Sequence, residues 1–159
     1  EKGVDQMAIV VGQKAPNFEL KDTKGNFVRL ADFAGKKHVV LSFHPLAWTR
    51  ICAAQMLALD LQIEEFRKRN AEVFGVSVDS VECKRAWAAA LGLKELPILA
   101  DFYPHGALAE SLGILRKLGF SDRAVILIDK AGVVRWVKVY PIHDVPAPAD
   151  VLAAIDALS

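Results

Sequence analysis

The strongest nucleophiles in this sequence are two cysteines, Cys52 and Cys83, standing 31 positions apart. Two cysteines at this spacing are too few for a disulfide scaffold and do not match a structural zinc site, so any chemistry they have is that of thiols. Cys52 follows Thr49 by three residues, at the start of a segment with helical periodicity. With Thr49 as the N-cap, Cys52 is the N3 residue. In that geometry the hydroxyl and the sulfur lie on one side of the first turn, within hydrogen-bonding reach. The unpaired amides and the positive dipole end of the helix favour a thiolate over a thiol there. A free cysteine is also commonly a small packing residue, and its position alone does not separate the two readings. Pro45 adds weight, because a strand end, a tight turn and a helix N-terminus make a rigid mount for reactive groups.

Such a mount needs a buried strand before it and a sheet beneath it. HVVLSF at 38–43 is a compact β-branched and aromatic run, consistent with a central strand. After Pro45, the spacing of Met56, Leu59, Ile63 and Phe66 predicts one helix, with Gln62, Glu64, Glu65, Arg67 and Lys68 on its outer side. EVFGVSV at 72–78 predicts a second buried strand, and 81–93 a second helix stopped by Gly92. A short strand at 97–100 and a third helix at 105–114 follow. RAVILID and VVRWVKV, flanking Lys130, Ala131 and Gly132, predict a hairpin, and ADVLAAIDAL after Pro146 and Pro148 a final helix. Ahead of all this, turn signals at Pro16, Gly25 and Gly35 fit short hairpin strands within 11–36. The order is that of an α/β protein with a thioredoxin-like fold, a central mixed β-sheet flanked by helices on both faces.

With 159 residues and no internal repeat or linker, residues 11–159 read as a single domain. Residues 1–10 form an N-terminal extension, of which 1–6 read as an appended or processed leader outside the fold. The composition, 53% hydrophobic and 25% charged, is that of a globular chain with an ample core. A formal charge of +1, with neither sign in a long block, points to neither nucleic acid nor an anionic membrane. KKH at 36–38 and RKR at 67–69 are expected to be solvated surface. No apolar run approaches a membrane span and the start lacks a secretory layout, so a cytoplasmic protein is expected. His38, His105 and His143 show no ligand spacing, and no metal site is expected.

Pro45, Thr49 and Cys52 within PLAWTRIC resemble the P-x-x-x-T-x-x-C signature of the peroxiredoxin family. VGQKAPNFEL at the start, SVDSVECKRAW at 77–87 and SDRAVILIDKAGVVRW at 121–136 are similar to family segments in the same order, so the resemblance covers nearly all of the chain after residue 10. It implies a peroxidase for hydrogen peroxide and alkyl hydroperoxides in which Cys52 is the peroxidatic cysteine. Thr49 would hold sulfur and peroxide, Pro45 would shield the thiolate from water, and Arg123 would supply a second cationic partner. An arginine stays protonated, so beside the sulfur it favours the ionised form and can stabilise charge on the peroxide oxygens. The product is a Cys52 sulfenic acid, formed without metal, haem or flavin. It must be returned by a thiol reductant such as thioredoxin, a glutaredoxin-like protein or a small thiol.

Cys83 is near the start of the second helix, one of the places where family members carry a resolving cysteine. An intramolecular Cys52–Cys83 disulfide and a one-cysteine mechanism are equally open, and the former requires the turn around Cys52 to unwind. Gln55 stands where a thioredoxin-type C-x-x-C exchanger has its second cysteine, and by resemblance supports the active-site hydrogen bonds. His44 replaces the aromatic residue often found before the proline, either as a nitrogen near the site or as a structural residue. Trp48, four residues from Cys52, should report oxidation by fluorescence. The resemblance also implies a homodimer or higher even oligomer. Two other functions remain open: a redox sensor or chaperone-like module switched by Cys52 oxidation, and a thioredoxin-type disulfide oxidoreductase.

Overall fold

The computed structural model describes residues 7–158. The leader assigned to residues 1–6 lies outside the described residues. The central strand β3 (His38–Phe43) is buried at every position after its first. It pairs in parallel with β4 (Ala71–Ser77) and antiparallel with β6 (Arg123–Ile128). Around these lie β1 (Glu19–Asp22), β2 (Phe27–Arg29), β5 (Ile98–Ala100) and β7 (Val134–Tyr140), giving one seven-stranded mixed sheet in the order β2-β1-β5-β4-β3-β6-β7. The entering strands form the expected hairpin, and β6 and β7 form the terminal one.

The period-2 alternation of the inner strands sends side chains into two separate cores. Val40, Val73, Val125 and Leu127 face the core that also holds Cys52, Met56, Leu59, Ile63, Phe66, Trp87, Val151 and Ile155. Val39, Leu41, Val76 and Ile126 face the other, closed by Phe18, Leu30, Leu108 and Leu112. Gly75 is required on the first face. A Cβ there would lie 2.2 Å from Met56 Sδ and 2.9 Å from Ile98 Cγ2, so its absence lets the helix that carries Met56 settle on the sheet.

The single helix expected through Phe66 is two: α1 (Arg50–Leu61) and α2 (Ile63–Lys68). At Gln62 (φ −105°, ψ 7°) the amide bonds the Leu59 carbonyl, three residues back, at 3.0 Å. This tight turn breaks the ladder while keeping Ile63 and Phe66 on the buried face that begins with Met56 and Leu59. α3 (Val81–Leu91) has Ser80 as its cap, accepting from the Cys83 amide at 3.1 Å, and ends at Gly92 with φ 70° as its composition requires. The helix expected over 105–114 is only α4 (Ala107–Ser111). It is bounded by left-handed Gly106 and Gly113, and the buried Asp101 carboxylate accepts from the Leu108 and Ala109 amides. α5 (Pro148–Asp156) starts with proline in its first turn. The RKR surface is ion-paired: Arg67 with Glu64 and Glu95, Lys68 with Glu65, and Arg69 with Asp156.

Candidate active site

β3 delivers the chain to His44 and Pro45, both buried, and α1 begins five residues later with Thr49 in extended N-cap geometry. Cys52 is the third residue of that helix and is fully buried. The position matches the sequence reading, but one contact does not. Thr49 Oγ1 donates to the Leu46 carbonyl at 2.7 Å and bonds neither the Cys52 sulfur nor the helix amides. With its proton committed to Leu46, the hydroxyl is left to accept a hydrogen bond.

Arg123, at the first position of β6, is 3% exposed and reaches across to α1. Its Nη1 is 3.3 Å from Cys52 Sγ and donates to Gln55 Oε1 at 2.8 Å, while Nε donates to the Ile142 carbonyl at 3.0 Å. Gln55 Nε2 donates to Ser42 Oγ at 2.8 Å and to the Phe43 carbonyl at 3.2 Å. These bonds set the amide with its oxygen toward Arg123 and its nitrogen toward the sheet. Among the described residues no carboxylate is in ion-pair contact with Arg123; the group facing its charge is sulfur. A buried guanidinium calls for an anion, and a Cys52 thiolate is placed to be that anion. Three of the residues singled out from the sequence (Cys52, Gln55 and Arg123) thus meet at one point, and the buried Pro45 and the N-cap Thr49 belong to the segment that leads from β3 into α1.

His44 is elsewhere. Its ring is fully buried against Trp87, with centroids 5.0 Å apart, and Nε2 lies 3.1 Å from Lys84 Nζ, so it bonds no atom of Cys52. Burial, aided by the Lys84 and Arg123 charges, holds it well below the usual imidazole range. Lys84 is likewise fully buried and donates to Ser77 Oγ at 2.8 Å. Ser77 donates to Asp79 Oδ2 at 2.6 Å, and the same oxygen accepts from the Ala47 amide at 2.8 Å. The other carboxylate oxygen, Asp79 Oδ1, is 3.9 Å from Cys83 Sγ. Burial pulls Lys84 down to about 7, with Asp79 the leading opposing charge. The Cys83 thiol is pushed up by burial and by Asp79, while the Trp48 indole acts in the opposite sense. Trp48 itself has φ 68°, a left-handed conformation that strains a bulky residue.

Lys84, Ser77 and Asp79 escaped the reading of the sequence. A signal was present for the lysine: it precedes Trp87 by three and Leu91 by seven, on the stripe of α3 that packs inward. His38 is half-buried and His105 and His143 are exposed, far apart in the chain; among the described residues no group of three or more potential ligands could hold a metal.

A family model described as AhpC/TSA family matches residues 11–137. The chain is similar to alkyl hydroperoxide reductase E of Mycobacterium tuberculosis, 32% identical over 151 residues that cover 92% of this chain and 98% of that protein. It is also similar to the chloroplastic 2-Cys peroxiredoxin BAS1 of Spinacia oleracea, 38% identical over 136 residues, covering 79% of this chain and 51% of that one. Among solved structures, the reduced 2-Cys peroxiredoxin of Plasmodium vivax superposes with a TM-score of 0.86 at 32% identity, covering 94% of this chain and 82% of that chain.

Proposed function

The chain belongs to the AhpC/TSA family, and from that premise we propose how its own residues carry out the reaction. It is a peroxiredoxin, a thiol peroxidase with a thioredoxin-like fold. In our reading the Cys52 thiolate attacks one peroxide oxygen in line with the O–O bond. The S–O bond forms as the O–O bond breaks, and the leaving oxygen takes a proton to become water or an alcohol. The peroxide is reduced by two electrons and Cys52 becomes a sulfenic acid. Arg123 stays charged throughout and holds the negative charge as it moves from sulfur to oxygen. The Thr49 hydroxyl accepts a hydrogen bond from the peroxide, and Pro45 keeps water from the sulfur. The observation that carries this reading is the 3.3 Å approach of the buried Arg123 guanidinium to Cys52 Sγ.

We assign the substrates as hydrogen peroxide and alkyl hydroperoxides, the latter in line with the name of the mycobacterial relative. For recycling we favour a Cys52–Cys83 disulfide over a one-cysteine mechanism. Cys83 packs against the core cluster that contains Cys52 and Ala47, and Trp48, in the loop before α1, lies against its sulfur. A first-turn unwinding of α1 would bring the two sulfurs together, and a thiol reductant such as thioredoxin or a glutaredoxin-like protein would reopen the bridge. An even-numbered homo-oligomer is the assembly we expect; exposed Leu46, Trp48, Phe102 and Tyr103 provide apolar surface for it.

Stopped-flow tryptophan fluorescence with hydrogen peroxide tests the reading. A fast phase proportional to peroxide that disappears in Cys52→Ser supports the peroxidase role. A second, peroxide-independent phase that disappears in Cys83→Ser supports the disulfide. A parent protein no faster than a free thiol would refute the assignment of the site.

A further inference from the structure

We propose that Asp79 and Lys84, joined through Ser77, take the proton from Cys83 as that thiol attacks the Cys52 sulfenic acid. The inference rests on the reading of Cys83 as the resolving cysteine. Lys84 projects from α3 into the core, where an apolar side chain would fill the space beside Trp87 without any buried amine to satisfy. Beyond its contact with His44, its bonds lead to Asp79: Nζ donates to Ser77 Oγ and Ser77 Oγ to Asp79 Oδ2, while from the other side the Cys83 thiol faces Asp79 Oδ1 at 3.9 Å. Lys84, Ser77, Asp79 and Cys83 all belong to the short stretch 77–84, so the chain of bonds can persist while the first turn of α1 opens.

The other ionisable groups facing Lys84 come from several elements. His44, after β3, lies on its far side and is itself flanked by Arg123 of β6. Asp79 after β4, Asp101 after β5, Cys52 of α1 and Cys83 of α3 all favour its charged form, yet burial outweighs them. The amine therefore sits at about 7, whereas the Cys83 thiol is pushed above the usual thiol value. At neutral pH the thiol holds its proton while a substantial share of Lys84 is ready to accept one.

The step balances within the protein. In the observed arrangement Ser77 donates to Asp79 and Lys84 to Ser77, so with Lys84 neutral the Ser77 hydroxyl first turns toward Nζ; Cys83 then gives its proton to Asp79, and Ser77 takes that proton as it gives its own to Lys84. The freed sulfur pair attacks the Cys52 sulfur, the S–S bond forms and the S–O bond breaks, and the departing hydroxide takes a proton from solvent. Cys83 is oxidised and the sulfenic sulfur reduced, with no outside oxidant. Lys84 returns its proton to solvent when the site reopens for the reductant.

The test is the rate of the second fluorescence phase between pH 6 and 10 in the full-length protein, for the parent, Lys84→Met and Asp79→Asn. The parent rate should rise to a plateau with a midpoint near 7. Lys84→Met should lose the plateau and rise about tenfold per pH unit through pH 9, as an unassisted thiol does, running about thirtyfold below the parent at pH 7.5 and meeting it near pH 10. Asp79→Asn keeps an acceptor for the Ala47 amide but not the base; the same profile is expected of it, and it stands alone if Lys84→Met does not fold. Variant profiles parallel to the parent at every pH, lowered or not, would mean a structural role only and overturn the proposal. If the parent forms no intramolecular disulfide by mass spectrometry, the reading of Cys83 fails first and takes the proposal with it.

Discussion

Replacing Arg123 by methionine removes the charge beside the reactive sulfur while keeping much of the side-chain volume. At the observed 3.3 Å, two unit charges interact by about 5 kcal/mol with an effective dielectric of about 20. That figure is an upper bound on the loss, because solvent and neighbouring dipoles relax around the vacated site. Removal of a single preorganised donor from an oxyanion site costs about 10²–10³ in rate, or roughly 3–4 kcal/mol, which gives the lower part of the range. The bimolecular rate of the peroxide-dependent phase should therefore fall by about 10²–10⁴. Arg123→Lys should recover part of this, because a lysine keeps the charge but cannot hold Ile142, Gln55 and Cys52 with two separate nitrogens as Nε and Nη1 do. The assay is stopped-flow fluorescence over a range of peroxide concentrations, with thermal unfolding of each variant as the control for lost bonds to Gln55 and Ile142. An Arg123→Met protein that reacts within tenfold of the parent would show that the guanidinium does not hold the reacting charge.

The buried lysine also predicts how stability depends on pH. Lys84 binds its proton less readily in the folded chain (about 7) than in the unfolded one (10.5), so unfolding takes up a proton between those values. Stability should rise across that window, by at most about 5 kcal/mol, and be lowest below pH 7; in Lys84→Met this part of the dependence should vanish from urea titrations run at several pH values. Gly75→Ala forces a methyl group into Met56 Sδ and Ile98, and a loss of about 1–3 kcal/mol, or roughly 3–10 °C in Tm by calorimetry, is expected. An unchanged Tm would mean that the Met56 side chain moves aside without loss of packing.

Much of the fold could be read from the sequence because its signals are local. The β-branched run of β3, the glycine that ends α3 and the proline that starts α5 each act on the backbone where they stand. The break at Gln62 left no such mark, since the apolar period runs through it unchanged. The short α4 was overestimated because Asp101, which satisfies its first amides, is six residues upstream of it. In the site, Cys52 and its helix position were legible from Thr49 and Pro45. The Arg123 contact was legible only through family resemblance, because β6 meets α1 across 71 residues of chain and no spacing rule spans that distance. The direction of the Thr49 hydroxyl was misread because the loop offers it the Leu46 carbonyl, a competitor that helix-capping rules do not weigh.

The interruption between α1 and α2 sets a limit on how far motion can spread. Helical segments fray as cooperative units, each amide released weakening the next along a shared ladder. Had residues 50–68 formed one continuous helix, opening at Cys52 would have been coupled to the packing of Ile63 and Phe66, and so to the foundation of the domain. With the ladder reset at Gln62, the redox-active end belongs to a twelve-residue unit of its own. Excursions there stop at a firebreak, and the sheet beneath serves as a fixed base to which the catalytic turn can return.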